Sequence, residues 1–206
     1  MKNFILTLAI LVSGFASAQD QFEQGMGQAM QLWGAGKNDE ATALFERIAA
    51  AEKNSWLPNY YIAAVNTFAA FGTTDKEKMT AMLNKSQTAI DVEMAKDANN
   101  PEILVMQAMI HTAWISSDPM TNGMKLSGRV MELYGKAYVM APKNPRVVFG
   151  KADFAIAGAQ WTGANVKDLC KDVDVAVDLF KAEKPATPLS PSWGLDRALQ
   201  TQKSCK

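Results

Sequence analysis

Small and apolar residues recur along most of this chain at intervals of three and four, the period of one helix face. Residues 36–48 set the pattern. A Gly36-Lys37-Asn38 turn leads into acidic Asp39 and Glu40, and Ala41, Leu44, Phe45 and Ile48 then form one stripe. Glu40, Glu46 and Arg47 fall on the opposite, wet side. The same period predicts helices near 20–35, 38–53, 56–71, 75–98, 101–116, 120–140, 145–160, 164–182 and 192–204. Turn residues separate them, among them Gly72-Thr73-Thr74, Asn99-Asn100, Asp118-Pro119 and Pro142-Lys143-Asn144. No stretch alternates strictly by two with β-branched residues, so the expected fold class is all-α.

The helices come in related pairs. Asn100-Pro101-Glu102-Ile103-Leu104 and Ala108 match Asn144-Pro145-Arg146-Val147-Val148 and Ala152, each an Asn-Pro cap, a charge, two aliphatics and a later Ala. Pro suits a first helical turn, where its missing N–H is not needed. Ser55-Trp56 with Ala63 keeps the same cap-to-Ala distance, and Phe22 with Ala29 gives a first copy. Repeat starts therefore fall near Phe22, Trp56, Pro101 and Pro145, at intervals of 34, 45 and 44 residues. The surplus of about three turns, at ~3.6 residues per turn, belongs to the second helices. Residues 76–97 contain no Pro or Gly, with Met79, Met82 or Leu83, Ile90 and Met94 directed inward. Residues 120–140 repeat that design, although Gly123, Gly128 and Gly135 weaken its regularity.

The Gly36 turn followed by Ala41 and Phe45, and the Ala176–Phe180 spacing in the last pair, resemble the second helix of a tetratricopeptide repeat. The resemblance covers most of residues 20–182 and extends to exported bacterial proteins of that kind. It implies antiparallel helix pairs stacked as a superhelical array, with the first helices lining a concave face and residues 192–204 capping the open end. On those first helices the inward candidates are Met26, Met30 and Trp33, then Tyr60, Ala64 and Phe68. Val105 and Met109 follow, then Phe149, Asp153 and Ile156. Such a groove suits an apolar peptide; the competing reading packs these side chains against the neighbouring repeat. No basic set matches the one some relatives use to hold a peptide carboxylate.

Targeting signals refine this picture. Lys2, the apolar run 4–12 and Ala16-Ser17-Ala18 describe a cleavable secretory signal over residues 1–18, cut between Ala18 and Gln19. Residues 19–206 then form a single helical-repeat domain, periplasmic or secreted. Cleavage removes Lys2 and no acid, so 21 basic and 21 acidic side chains become 20 and 21. That balance argues against nucleic acid and anionic membrane as partners. No later run spans a membrane. Cys170 and Cys205 are the only cysteines, and an even pair in an exported chain favours a disulfide. If the last two helices lie antiparallel, both thiols sit ~18–20 Å from the Pro-rich connector, at matching height. A frayed, unpaired Cys205 and a bridge between two chains are the alternatives.

Candidate chemistry is sparse. There is no nucleophile elbow, no His-Glu-x-x-His and no phosphate loop. His111 stands alone on an apolar helix, where a hydrogen-bonded packing role is expected. Asp168, Asp172, Asp174 and Asp178 read as a solvated face beside Lys167, Lys171 and Lys181. Residues 184–191, rich in Pro, read as an extended surface connector. The expectation is a non-catalytic scaffold that binds a protein or peptide, with no cofactor and no metal. A small-ligand carrier or a self-assembling envelope protein is the alternative.

Overall fold

The computed structural model describes residues 19–205. The predicted signal segment, residues 1–18, and the cleavage expected at its end lie outside the described residues. Among the described residues there are nine helices and no strand. They are α1 (19–34), α2 (Asn38–Ala51), α3 (Leu57–Phe71), α4 (Lys76–Lys96) and α5 (Pro101–Ser117). Then come α6 (Pro119–Met140), α7 (Pro145–Thr162), α8 (Val166–Ala182) and α9 (Leu195–Ser204).

The repeated Asn-Pro pairs are capping devices. The Asn100 side chain accepts from the Glu102 N–H, and Asn144 accepts from the N–H groups of Arg146 and Val147. Asp75 and Asn165 do the same for α4 and α8. Gly163 ends α7 in the left-handed region, at φ 71°, where a side chain would be strained. Helix α6 runs unbroken through its three glycines. Its inward residues Val130, Leu133, Tyr134 and Ala137 are buried, and that packing outweighs the propensity cost of about 1 kcal/mol per glycine.

Pairs α3–α4, α5–α6 and α7–α8 pack as antiparallel hairpins, and α5 also packs against both α3 and α7. The first helices thus form an inner layer and the second helices an outer one, a tetratricopeptide-like array. The expected inward positions on α4 hold: Leu83 and Ile90 are fully buried, and Met79, Met82 and Met94 are partly buried. Phe45, Tyr60, Tyr61, Ile90, Ile103 and Met106 share the largest core cluster.

The C-terminal part departs from expectation in two ways. The capping helix begins at Leu195, because Gly194 sits at φ 114° and Ser192 and Trp193 are not helical. The Pro-rich connector lies on the surface over residues 184–188, as expected, and only then turns inward, burying Leu189 and Pro191. A disulfide joins Cys170 to Cys205, with Cα atoms 5.8 Å apart, and ties α9 to α8.

Candidate functional site

The inner face is organised by charge that the helix caps bring together. Glu102 and Arg146 stand at the same position of the two Asn-Pro repeats, one residue past each Pro. Stacking α7 beside α5 puts them in contact: the Arg146 Nε–H donates to Glu102 Oε1 and Oε2 at 2.9 and 3.1 Å. The Asn144 amide donates to Glu102 Oε1 at 2.6 Å. The far side of the guanidinium grips Glu183, just past α8, through both terminal nitrogens. Burial works against the Arg146 charge, yet the bonds to Glu183 and the charge of Glu102 raise its pKa further above the ordinary arginine value. One cation between two carboxylates leaves net negative charge. It is met by the Tyr60 hydroxyl, which donates to Glu102 Oε2 at 3.3 Å. Burial, then the Glu102 charge, push the Tyr60 phenol well above its usual pKa, so it stays a donor.

Residues 183–194 start from this cluster and form a strap over the inner face. The strap turns at Thr187–Ser190, where the Ser190 N–H donates to the Thr187 carbonyl at 3.1 Å. The Tyr61 hydroxyl donates to the Leu189 carbonyl at 2.9 Å. The Trp193 indole N–H then donates to the Tyr60 hydroxyl at 2.8 Å, and its ring meets Phe68 edge-on at 5.0 Å. Trp193 packs against both the α3-centred core cluster and the α5–α6 cluster.

The candidate groove residues take three separate places. Trp33 and Tyr60 both meet the Tyr61 ring, and Trp33 stacks on Phe68 at 5.9 Å. Met26 is fully buried in the same cluster, and Met30 is partly buried there. Met109 lies in the α5–α6 cluster. Phe149 faces Phe180 at 6.4 Å, and Asp153 accepts from the Thr201 hydroxyl at 3.0 Å beside Arg197 of α9. Ala64 and Val105 are buried, and Ile156 is partly buried. His111 is hydrogen-bonded to Gln107 at 3.1 Å; burial and then Arg129 lower its pKa. Among the described residues no cluster of His, Cys, Asp and Glu has the geometry to hold a metal ion.

The surface left open is on the outer layer. Met120, Met124, Met131 and Tyr138 recur on α6 at four, seven and seven residues, one helical stripe. Met120 is 82% exposed and Met124 90%. Gly128 and Gly135 fall in the same stripe with open space where a Cβ would be, which flattens it. Helix α7 borders it. A Cβ on Gly150 would lie 2.5 Å from the Tyr134 ring, so only glycine lets α7 approach there. Phe154 and Trp161, four and eleven residues on from Gly150, continue that side of α7, and Trp161 is 74% exposed. The Lys151 ammonium lies 4.7 Å from the Tyr138 ring centre, at the foot of the stripe. The Met-rich long helices are the surface that the small-ligand or self-assembly alternative uses, although the spacing alone does not say which of their methionines face outward. The signal was the concentration of methionine in one helix. Glu102, Arg146, Glu183 and Trp193 were missed; the charge one residue past each repeated Pro was the available sign.

No protein-family model matches the sequence, and no curated protein sequence does. Two solved structures match the fold. The HusA haemophore from Porphyromonas gingivalis aligns at TM-score 0.78 and 21% identity, over 90% of this chain and 92% of its own. A thermophilic TPR protein from Thermus thermophilus aligns at TM-score 0.58 and 11% identity, over 89% of this chain and 98% of its own. At these identities the likeness is one of fold. The fold is a tetratricopeptide-like helical array closed by a short C-terminal helix.

Proposed function

We propose that this chain is an exported, non-catalytic carrier of a flat apolar ligand of the porphyrin class, held on the exposed side of α6 and the exposed end of α7. The observation that carries the reading is the exposure of Met120, Met124 and Met131 along α6 and of Trp161 near the end of α7, the helix that packs against α6. Exposed methionines and aromatics attract an apolar partner, and thioether side chains adapt to its outline. A thioether sulfur also ligates haem iron in some haem proteins. Lys151 offers a charge to a ligand carboxylate. The inner face, with Tyr60 fully buried and Phe68 under Trp193, offers less open surface than the peptide-groove reading requires. Likeness to a haemophore over nine-tenths of the chain supports a carrier on this scaffold. No helix among the described residues is long and apolar enough to cross a membrane, and the disulfide fits an oxidising compartment.

Haemin titration of the purified protein tests the reading. The expected result is a shifted Soret band with saturable quenching of tryptophan fluorescence. Met124→Ala combined with Trp161→Ala should weaken binding at least tenfold with the helical spectrum unchanged. Absence of saturable binding, or equal binding by the double variant, would overturn it. A second reading rests on one feature: Met124, Met131 and Tyr138 are seven residues apart, the period of a seam for a partner helix. A protein captured by the wild type, lost in the double variant and indifferent to haemin would favour that reading.

A further inference from the structure

We propose that the cleft between α2 and α4 binds a free α-amino acid with an apolar side chain, at a site separate from the surface of α6 and α7. Both helices pack on α3, and the cleft between them holds about 360 Å³. Its walls are two matching helix stripes. Asp39, Thr42, Ala43 and Glu46 line one side and Lys78, Ala81, Met82 and Lys85 the other, each set at i, i+3, i+4 and i+7. One wall carries two carboxylates and the other two ammonium groups, while Asn66 of α3 makes the floor.

The charges stand in register. Each of α2 and α4 joins α3 through a short reversing connection, so the two run in the same direction. Lys85 reaches Glu46 at 2.7 Å across a sequence separation of 39 residues, and Asp39 precedes Lys78 by the same separation. That second couple lies seven residues, ~10 Å, nearer the helix starts. No ion pair joins it among the described residues. The cleft is thus shut at one end by an ion pair and carries an unmatched acid and base at the other.

The floor adds what a surface ion pair does not need. Thr42 and Asn66 are only 5% and 8% exposed. The Asn66 amide N–H groups go to Thr42 Oγ1 at 3.1 Å and to the Ile62 carbonyl at 2.8 Å, which fixes the way the amide faces. Its carbonyl oxygen and the hydrogen of the Thr42 hydroxyl enter no hydrogen bond among the described residues. No fully buried side-chain polar atom there lacks a partner, so the Asn66 oxygen reaches open space, and the space it borders is this cleft. A donor and an acceptor are therefore left unused side by side. Lys78 and Thr42 can donate to a carboxylate, and Asp39 and Asn66 can accept from an ammonium group. A molecule that meets all four carries an anion and a cation on neighbouring atoms, as a free α-amino acid does on one carbon. Ala43, Ala81 and Met82 offer its side chain an uncharged wall, and the Glu46–Lys85 pair blocks a longer chain from running through.

Calorimetric titration of the purified protein with L-leucine tests this, with two truncated molecules beside it. Isocaproate keeps the side chain and carboxylate of leucine, and isopentylamine keeps the side chain and ammonium group. Leucine should bind saturably and at least tenfold more tightly than either. In isotope-labelled protein the Asn66 side-chain amide resonance should move with leucine and saturate with it. Asp39→Asn and Lys78→Gln alter exposed side chains, so the helical spectrum should be kept while leucine affinity falls at least tenfold in each. Absence of saturable binding, a truncated molecule that binds as well as leucine, an unmoved Asn66 resonance, or wild-type affinity in either variant overturns the proposal. The haemin titration reads α6 and α7, so its result stands whichever way leucine falls.

Discussion

On the inner face, Trp33, Tyr60, Tyr61 and Phe68 pack beneath Leu189, Pro191 and Trp193, while Met120 and Met124 on the outer helix α6, and Trp161 at the end of α7, meet solvent. Both regions are apolar helix surfaces of one array, and both combine aromatic with flexible side chains. The difference lies in what reaches them. The inner face is within range of the strap and carries polar anchors for it: Arg146 for Glu183, Tyr61 for a backbone carbonyl, Tyr60 for an indole. The outer stripe has glycine gaps in place of anchors, and no described segment crosses it. Apolar surface alone therefore does not decide what becomes core. A covering segment needs a few directed polar bonds to fix its path, and only one of the two faces supplies them.

The largest expected effect removes such an anchor. Arg146→Met would leave Glu102 and Glu183 facing each other without their cation, in a site where both are largely shielded. Breaking a buried ion cluster at one partner costs about 3–5 kcal/mol, which urea denaturation would register as a lower midpoint. An unchanged midpoint would mean that the strap is held by its apolar side chains alone. Next comes the bridge. Replacing Cys170 and Cys205 by Ser opens a constraint between residues 35 apart, and the expected loss is about 2–4 kcal/mol. Reductant should shift wild-type stability toward that of the variant and leave the variant itself unmoved.

A smaller effect separates inner from outer layer by pH. His111 sits on α5 near Arg129 of α6, and burial, then that charge, lower its pKa from the ordinary 6.5. A histidine with a lowered folded pKa contributes stability that is present above the unfolded value and lost as pH falls through the folded one. Wild-type stability should thus decline as the solution is acidified below about 6.5. His111→Gln, which can keep a bond to Gln107, should flatten that part of the curve. If the two curves run parallel, neither burial nor Arg129 holds the His111 pKa down in the folded protein.

These contrasts also explain how much of the molecule could be read beforehand. The helices, their pairing and the all-α class follow from periodicity and from Asn-Pro caps, because both are local: a cap acts within three residues and a stripe within one helix. The Cys170–Cys205 pairing was legible because it needed only two helix lengths and one connector. The path of residues 184–193 was not. Proline excludes a helix there but does not say which face the chain crosses, and the bonds that decide it join Tyr61 to Leu189 and Tyr60 to Trp193, more than a hundred residues apart. For the same reason Tyr60 and Phe68 could be placed on an inward stripe while the segment above them stayed invisible.

The smallest expected effect is the most direct test of the comparison, because it makes one substitution on both faces. Met26 is fully buried in the α3-centred core cluster, and Met124 is 90% exposed on α6. Met26→Ala removes packed atoms and leaves a cavity, so about 2–5 kcal/mol should be lost. Met124→Ala removes the same atoms from water, and stability should change by no more than about 0.5 kcal/mol. The residue is then free to be kept for binding and not for folding, so haemin affinity should fall at Met124→Ala while the urea midpoint stays put. Should Met124→Ala destabilise the protein as much as Met26→Ala, the outer stripe would be packed in solution. The distinction between a covered and an open apolar face would then disappear, and the proposed carrier surface with it.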